Sequence, residues 1–225
     1  KNPFFRPLLV ASHSIPVYRQ QDADETNRSE KNRDMFDECY SVLAQKACIV
    51  IFPEGMSHDE PELQPLKTGT ARIVLGAEQR FGPLGTRIVP VGLTFDAKQK
   101  FRSRVLISIG EPFDPMDGLA AADPEDRQAV AKLTERIKQG ISAVTLNYPS
   151  WEEAQFIRRA AELYVRQMDA TDDAPQLSEK FPLHKQLADA YLALKTSRPR
   201  MATRMIEAVT AYDRLLRILS IKHRH

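Results

Sequence analysis

The chain has 225 residues, of which 42% are hydrophobic and 28% are charged, and its formal net charge is +2 at pH 7. This balance is typical of a globular chain with one large domain, or one domain with an appendage, and the near-neutral charge argues against a nucleic-acid partner. The longest apolar run, Ala47 to Phe52, is far shorter than the ~20 residues that a membrane-spanning helix needs.

The first half of the chain alternates between strand-like and helix-like segments. Ile15 to Arg19 predicts a short strand, and apolar residues at helical spacing predict a helix over residues 32–45. The β-branched run Ala47 to Phe52, which Pro53 bounds, predicts a buried strand. Cys39 and Cys48 fall in these two patterns, so both are predicted to be buried free thiols in a reducing compartment.

A second helix and two further strands are predicted next. Thr68 is the expected N-cap of the helix, which should end before Gly82. The strands are predicted over Arg87 to Phe95 and Arg104 to Gly110. Strands separated by helices predict an α/β sandwich with a mixed, partly parallel sheet and flanking helices.

The second half changes character, because no strand pattern occurs from Pro124 onward. Helices are predicted over residues 126–144, from Ser150 with Glu153 as a capping box, over residues 181–197, and from Pro199 to about Ile221. The last helix carries an apolar stripe that is expected to face the core: Met201, Met205, Val209, Tyr212, Leu216 and Leu219. We therefore predict an α/β domain over residues 1–148 and an all-helical appendage over residues 149–225, with a linker in the acidic stretch MDATDDAPQ.

Polar residues follow the predicted strand in the stretch FPEGMSHDE. Ligands of α/β sheets bind beyond the carboxyl ends of strands, where Gly55 lets backbone approach a ligand and Ser57 and His58 offer hydrogen bonds. Lys67 precedes a helix whose free N–H groups attract anions, and Arg19 ends another predicted strand. The pattern predicts a site for a small phosphorylated ligand, and on spacing alone a solvated polar turn is the alternative.

The neighbouring acidic residues have different expected roles. Glu54 would repel a phosphate, so it is expected to accept a hydrogen bond from a substrate hydroxyl or to orient Arg19. His58, Asp59 and Glu60 are consecutive, and consecutive residues rarely face one ion, so no metal site is predicted.

Three segments resemble, in order, sequence blocks of the glycerophospholipid acyltransferase family. IPVYR is similar to the second block, which ends in a phosphate-binding arginine, here Arg19. FPEG, with Glu54 and Gly55, is similar to the third block, and VPVG, with Pro90, is similar to the fourth. The resemblance implies that Arg19, the FPEG loop and Pro90 belong to the substrate site.

The first block of the family, a histidine and an aspartate separated by four residues, is not found before IPVYR. His13 has Tyr18 five places on, so we expect the catalytic pair upstream of Lys1. His184 and Asp189 have the family spacing, but they follow every other block. On a helix they would also point about 140° apart, so we do not assign them as the pair.

The resemblance implies transfer of a fatty acyl group from a thioester of coenzyme A or acyl carrier protein to a hydroxyl of glycerol 3-phosphate or dihydroxyacetone phosphate, without a metal or bound cofactor. Acylation of 1-acylglycerol 3-phosphate or another lysophospholipid is one alternative, and non-catalytic lipid-phosphate binding is another. The acceptor stays open because Ser57 and His58 follow the FPEG block where the family most often has Thr-Arg-Ser.

Membrane association is also expected. Aromatic and basic residues in NPFFRPLL and IKHRH suit a membrane interface. We expect the protein at the cytoplasmic face of a membrane, either peripheral or anchored by a segment outside this chain. The sequence does not indicate an oligomeric state.

Overall fold

The computed structural model describes residue 15, residues 25–168 and residues 177–218. The predicted strand that ends at Arg19 and most of the predicted linker lie outside the described residues. The described chain groups into two compact units. Unit 1 consists of the described residues up to Gly55 together with Leu66–Ile88 and Pro112–Ile137, and unit 2 consists of Met56–Pro65, Val89–Glu111 and the described residues from Lys138 onward.

Unit 1 is built from helices α1 (Glu25–Ala44) and α2 (Gly69–Phe81) and the first part of α3 (Arg127–Val144). Its buried residues include Cys39 in α1, Leu75 in α2 and Leu133 in α3. Helix α2 ends before Gly82, which adopts a φ of 79°, so the predicted helix end is confirmed. Thr68 is at the N-cap position of α2 but makes no side-chain capping hydrogen bond.

Unit 2 contains an antiparallel hairpin of β1 (Val91–Phe95) and β2 (Val105–Ile109), and the helices α4 (Trp151–Met168), α5 (Leu177–Ser197) and α6 (Pro199–Ile218). The three helices enclose an apolar core: Tyr148, Ala154, Phe156, Ile157, Ala188, Tyr191 and Ala202. The predicted helical character of the C-terminal region is thus confirmed, whereas the domain boundary at residue 148 stays a prediction.

A buried carboxylate joins two of these helices. The backbone N–H of Glu153 donates to Ser150 Oγ (3.2 Å), as the predicted capping box requires. The Glu153 carboxylate also accepts hydrogen bonds from Tyr191 Oη and Lys195 Nζ, both at 2.7 Å. Burial raises the pKa of Glu153, but the hydrogen bonds from Lys195 and Tyr191 outweigh this effect and hold the pKa below its ordinary value.

The predicted partly parallel sandwich is not confirmed. The sheet found among the described residues has two strands, and they pair antiparallel with Val91 opposite Ile109 and Phe95 opposite Val105. The short connection between β1 and β2 explains this direction, because a parallel pair needs a crossover of about a dozen or more residues. The strand predicted over Arg87 to Phe95 is also shorter than expected. It begins at Val91, and Ile88 forms only an isolated bridge with Phe113.

The prediction of a buried strand over Ala47 to Phe52 is wrong for this structure. No strand is assigned to the segment, Val50 and Phe52 are 79% and 74% exposed, and Cys48 is exposed as well. A β-branched run becomes a buried strand only when a neighbouring strand pairs with it, and no described strand does so here.

The apolar stripe predicted for the last helix is only partly confirmed. Val209 packs against the core of unit 2 as predicted, but Met201, Met205 and Tyr212 are exposed. In the first turns, Ala202 and Ile206 take the core positions instead. Within the part of the chain that the structure describes, no helix is long and apolar enough to cross a bilayer.

Candidate functional site

The FPEG segment forms a tight turn in unit 1. The backbone N–H of Gly55 donates to the carbonyl of Phe52 (3.1 Å), and Gly55 adopts a φ of 68°. This left-handed conformation is one that residues with a side chain rarely adopt, so the turn requires glycine at this position. The sequence pattern allowed two reasons for this glycine, a turn or the close approach of a ligand. The backbone conformation gives the turn as a sufficient reason.

Lys67 lies against this turn. Its backbone N–H donates to the carbonyl of Pro53 (2.7 Å), which ties the FPEG turn to the residue that precedes α2. A Cβ placed on Gly55 would lie 3.3 Å from Lys67 Cγ and 3.9 Å from Lys67 Cε, so the lysine side chain passes over the glycine. The structure thus brings together Gly55 and Lys67, although the sequence separates them by a long loop.

The N-terminus of α2 follows directly. The first N–H groups of a helix have no partner within the helix, and the Thr68 side chain makes no capping bond to them here. Nothing lies within 4 Å of a Cβ placed on Gly69, so the approach to this end of the helix is open at that residue. Thr70 Oγ1 is buried without a hydrogen-bond partner. A lysine beside open helical N–H groups is an arrangement that can bind an anion such as a phosphate.

His58 lies in unit 2, in the segment Met56–Pro65, and its ring orientation is set locally. The backbone N–H of Glu60 donates to His58 Nδ1 at 3.1 Å. Because Nδ1 accepts this bond, the proton of the neutral imidazole is on Nε2, which makes Nε2–H a hydrogen-bond donor. Ser57 is exposed beside it, and His58 is half-buried.

Lys98 holds the same segment, which the sequence did not indicate. Its ammonium donates to the carbonyl of His58 (2.8 Å) and to Asp59 Oδ1 (2.7 Å). This hydrogen bond and the charge of Lys98 lower the pKa of Asp59 from its ordinary value. The sequence pattern around Lys98 is typical of a solvated turn. Nothing in the neighbouring residues links it to residues about forty positions earlier in the chain, because this contact forms only when the hairpin folds.

The VPVG segment is a packing element of unit 2. Pro90 is buried and its carbonyl accepts a hydrogen bond from the backbone N–H of Gly110 (2.9 Å). A Cβ on Gly92 would lie 2.0 Å from the carbonyl oxygen of Val144, so only glycine allows β1 to pass this close to the end of α3. The structure explains both residues by packing, and the role of Pro90 in substrate binding stays a prediction.

The remaining candidates are placed as follows. Arg19 lies outside the described residues, so its part in the site stays a prediction. Glu54 is half-buried in the FPEG turn. In α5, Asp189 forms an ion pair with Lys185 (3.4 Å), and the pKa of His184 is lowered by burial and by the nearby charges of Arg158 and Lys180.

Comparison with known proteins agrees with the sequence blocks. A family model described as Acyltransferase matches residues 1–94, the part of the chain that holds all three blocks. This match confirms the resemblance of the chain to the glycerophospholipid acyltransferase family. It is 30% identical to glycerol-3-phosphate O-acyltransferase 1 of Saccharomyces cerevisiae over 186 residues, which are 81% of this chain and 24% of the yeast protein.

Two further relatives match the chain over shorter regions. Glycerol-3-phosphate O-acyltransferase 2 of Saccharomyces cerevisiae is 37% identical over 59% of the chain and 18% of its own length. An uncharacterised acyltransferase of Schizosaccharomyces pombe is 30% identical over 58% of the chain and 20% of its own length. The chain therefore spans a quarter or less of the length of these relatives. No solved structure matches it.

Proposed function

We propose that the protein transfers a fatty acyl group from an acyl thioester to a hydroxyl of glycerol 3-phosphate or dihydroxyacetone phosphate. The observation that carries this proposal is the position of Lys67 over Gly55 at the open N-terminus of α2. The printed names of the two yeast relatives, both glycerol-3-phosphate O-acyltransferases, support glycerol 3-phosphate as the acceptor.

In this proposal Lys67 and the first N–H groups of α2 bind the acceptor phosphate, and Arg19 adds a bidentate contact. Glu54 accepts a hydrogen bond from an acceptor hydroxyl rather than facing the phosphate, since like charges repel. The histidine of the family's catalytic pair removes the proton of the attacking hydroxyl, and the aspartate holds the imidazole in the required tautomer. The oxygen then attacks the thioester carbonyl, the C–O bond forms, the C–S bond breaks and the thiolate leaves with the electron pair.

The donor and the location are parts of the same proposal. Coenzyme A and acyl carrier protein both carry acyl groups as thioesters, and no metal or bound cofactor is needed for the step above. We place the protein at the cytoplasmic face of a membrane, where a lipid product can enter the bilayer. Acylation of 1-acylglycerol 3-phosphate or another lysophospholipid is the alternative, because Ser57 and His58, which follow the FPEG turn, leave the acceptor open.

The test is steady-state kinetics of the full-length protein with acyl-CoA or acyl carrier protein as donor, and with glycerol 3-phosphate, dihydroxyacetone phosphate and 1-acylglycerol 3-phosphate as acceptors. Loss of a charge-assisted hydrogen bond in Lys67→Met should lower kcat/KM for glycerol 3-phosphate about 10- to 150-fold. Lys67→Arg should retain most of the activity.

The matched control is Lys138→Met, which removes an exposed lysine of α3. The KM for the acyl donor should not change in Lys67→Met if the lysine binds the acceptor phosphate. Equal kinetics of the Lys67→Met and Lys138→Met proteins would refute the phosphate site, and absence of acyl transfer to every acceptor would refute the enzyme.

A further inference from the structure

The tip of the β1–β2 hairpin exposes an aromatic residue. Phe101 is 95% exposed, which makes it the most exposed large apolar side chain among the described residues. Burial of a phenylalanine is strongly favourable, so a side chain held this far into solvent offers apolar surface that a partner can cover.

The backbone of the tip holds Phe101 outward. The loop is closed at its base, where the N–H of Asp96 donates to the carbonyl of Arg104 (3.0 Å) and the two side chains form an ion pair (3.0 Å). Within the loop, Lys100 N–H donates to the carbonyl of Ala97 (2.9 Å). These bonds form a defined turn rather than an extended connection.

A second turn contains the aromatic residue itself. Ser103 N–H donates to the carbonyl of Lys100 (3.2 Å), so Phe101 and Arg102 are its two central residues. Arg102 adopts a φ of 63°, a left-handed conformation that turns of this kind usually give to glycine. A strained conformation at an arginine is more often found at functional positions than in ordinary loops.

The charge of the tip is cationic. Lys98, Lys100, Arg102 and Arg104 lie within the loop, against the single acid Asp96. Lys98 and Arg104 are engaged with Asp59 and Asp96. Lys100 and Arg102 are the immediate neighbours of Phe101 in the chain, and both are exposed.

An apolar strip continues from the tip along one face of the hairpin. Its six residues form three cross-strand pairs in register: Val91 with Ile109, Leu93 with Ile107, and Phe95 with Val105. All six are exposed, by 44% to 72%. The opposite face holds Gly92, Thr94, Leu106 and Ser108, which are buried or half-buried, so the larger share of the apolar surface of this hairpin faces outward.

We propose that this surface, Phe101 with Lys100 and Arg102 and the adjoining apolar strip, docks on a lipid surface with anionic headgroups. An aromatic side chain flanked by cations is the pattern that suits a membrane interface: the ring enters the headgroup region while the ammonium and guanidinium groups pair with phosphates. The cations favour an anionic lipid surface over a purely apolar protein partner, which would have to bury these charges unpaired. The proposal rests on the membrane location proposed above, but it is independent of the acyl-transfer step.

The experiment uses the full-length protein and vesicles of phosphatidylcholine with and without phosphatidylserine. In a background in which Trp151 and every other tryptophan of the full-length protein are replaced by phenylalanine, Phe101→Trp places a fluorophore at the tip. Its emission should shift to the blue on addition of the anionic vesicles and be quenched by brominated lipid. This readout reports the tip itself, whether or not another segment of the protein also binds the membrane.

Charge variants test the cationic part of the surface. Each cation near an anionic surface contributes about fivefold to partitioning, so Lys100→Gln with Arg102→Gln in the fluorescent background should weaken the response to anionic vesicles about 30-fold. The double variant Lys138→Gln with Arg198→Gln removes two exposed cations elsewhere and is the matched control.

Three results would overturn the proposal. The first is an emission that does not respond to anionic vesicles while circular dichroism shows a folded protein. The second is an equal loss in the tip variant and the control variant, which would indicate net charge alone. The third is a blue shift that appears without lipid as protein concentration rises, which would assign the surface to a second copy of the chain.

Discussion

Gly55 offers the sharpest test of the FPEG turn, because the chain contains a second glycine with the same backbone conformation. Gly55 and Gly85 both adopt a φ of 68°. A Cβ on Gly85 would meet nothing within 4 Å, whereas a Cβ on Gly55 would press on Lys67 Cγ at 3.3 Å. Gly55→Ala and Gly85→Ala therefore carry the same backbone strain, and only the first displaces the lysine.

The expected magnitudes separate strain from function. A left-handed conformation costs a residue with a Cβ roughly 1–2 kcal/mol, so both variants should lose about that much free energy of unfolding. The lysine side chain can move aside, so Gly55→Ala should lose little additional stability. Moving Lys67 away from a bound phosphate weakens a charge-assisted hydrogen bond of about 1.5–3 kcal/mol, which is about 10- to 150-fold in kcat/KM.

The measurements are urea unfolding followed by circular dichroism, and steady-state kinetics with glycerol 3-phosphate, both on the full-length protein. Gly85→Ala should be less stable than wild type but keep its kcat/KM. Gly55→Ala should be equally destabilised and lose most of its kcat/KM through a higher KM for the acceptor. If the kcat/KM of Gly55→Ala falls no further than that of Gly85→Ala, the turn is structural and Lys67 has no role in the site.

Further predictions concern unit 2. Gly92→Ala should lower the free energy of unfolding by about 3 kcal/mol or more, since two backbones cannot move apart to relieve a 2.0 Å contact with Val144, and denaturant titration measures this. Lys98 holds the segment around His58, which is predicted to bind the acceptor, so Lys98→Met should raise the KM for the acceptor while kcat changes little. Lys98→Arg should restore the KM. An unchanged KM in Lys98→Met would show that acceptor binding does not depend on these hydrogen bonds. The stability that Glu153 contributes should be full above the ordinary glutamate pKa and decline as pH falls through its lowered pKa in the folded state. Glu153→Gln should remove this acid-dependent loss in thermal unfolding between pH 7 and pH 3, and an unchanged acid profile would contradict the assignment.

The helices, apart from the start of α1 at Glu25, are the features that local sequence determined most directly. Each helical turn is stabilised by bonds between residues four apart, so the end of α2 at Gly82 and the capping pair Ser150 and Glu153 are visible in the sequence itself. The family resemblance also rests on short contiguous segments, and the match over residues 1–94 confirms it. All of the predicted site residues remain predictions: Arg19, Glu54, Gly55, Ser57, His58, Lys67 and Pro90.

Contacts between distant residues were decided only by the tertiary structure. Whether the run Ala47 to Phe52 forms a strand depends on a neighbour that its own residues do not specify, and the direction of the β1–β2 pair depends on how the connection folds. The sequence pattern likewise could not show that Lys98 would reach Asp59. In α6 apolar residues lie on more than one face of the helix. Packing against α4 and α5 buries the face with Ala202 and Val209 and leaves Met201 exposed. Local hydrogen bonds and turn geometry depend on residues that are neighbours in the sequence. Burial and strand pairing depend on the segment that packs against a residue, and that segment is in place only once the chain has folded.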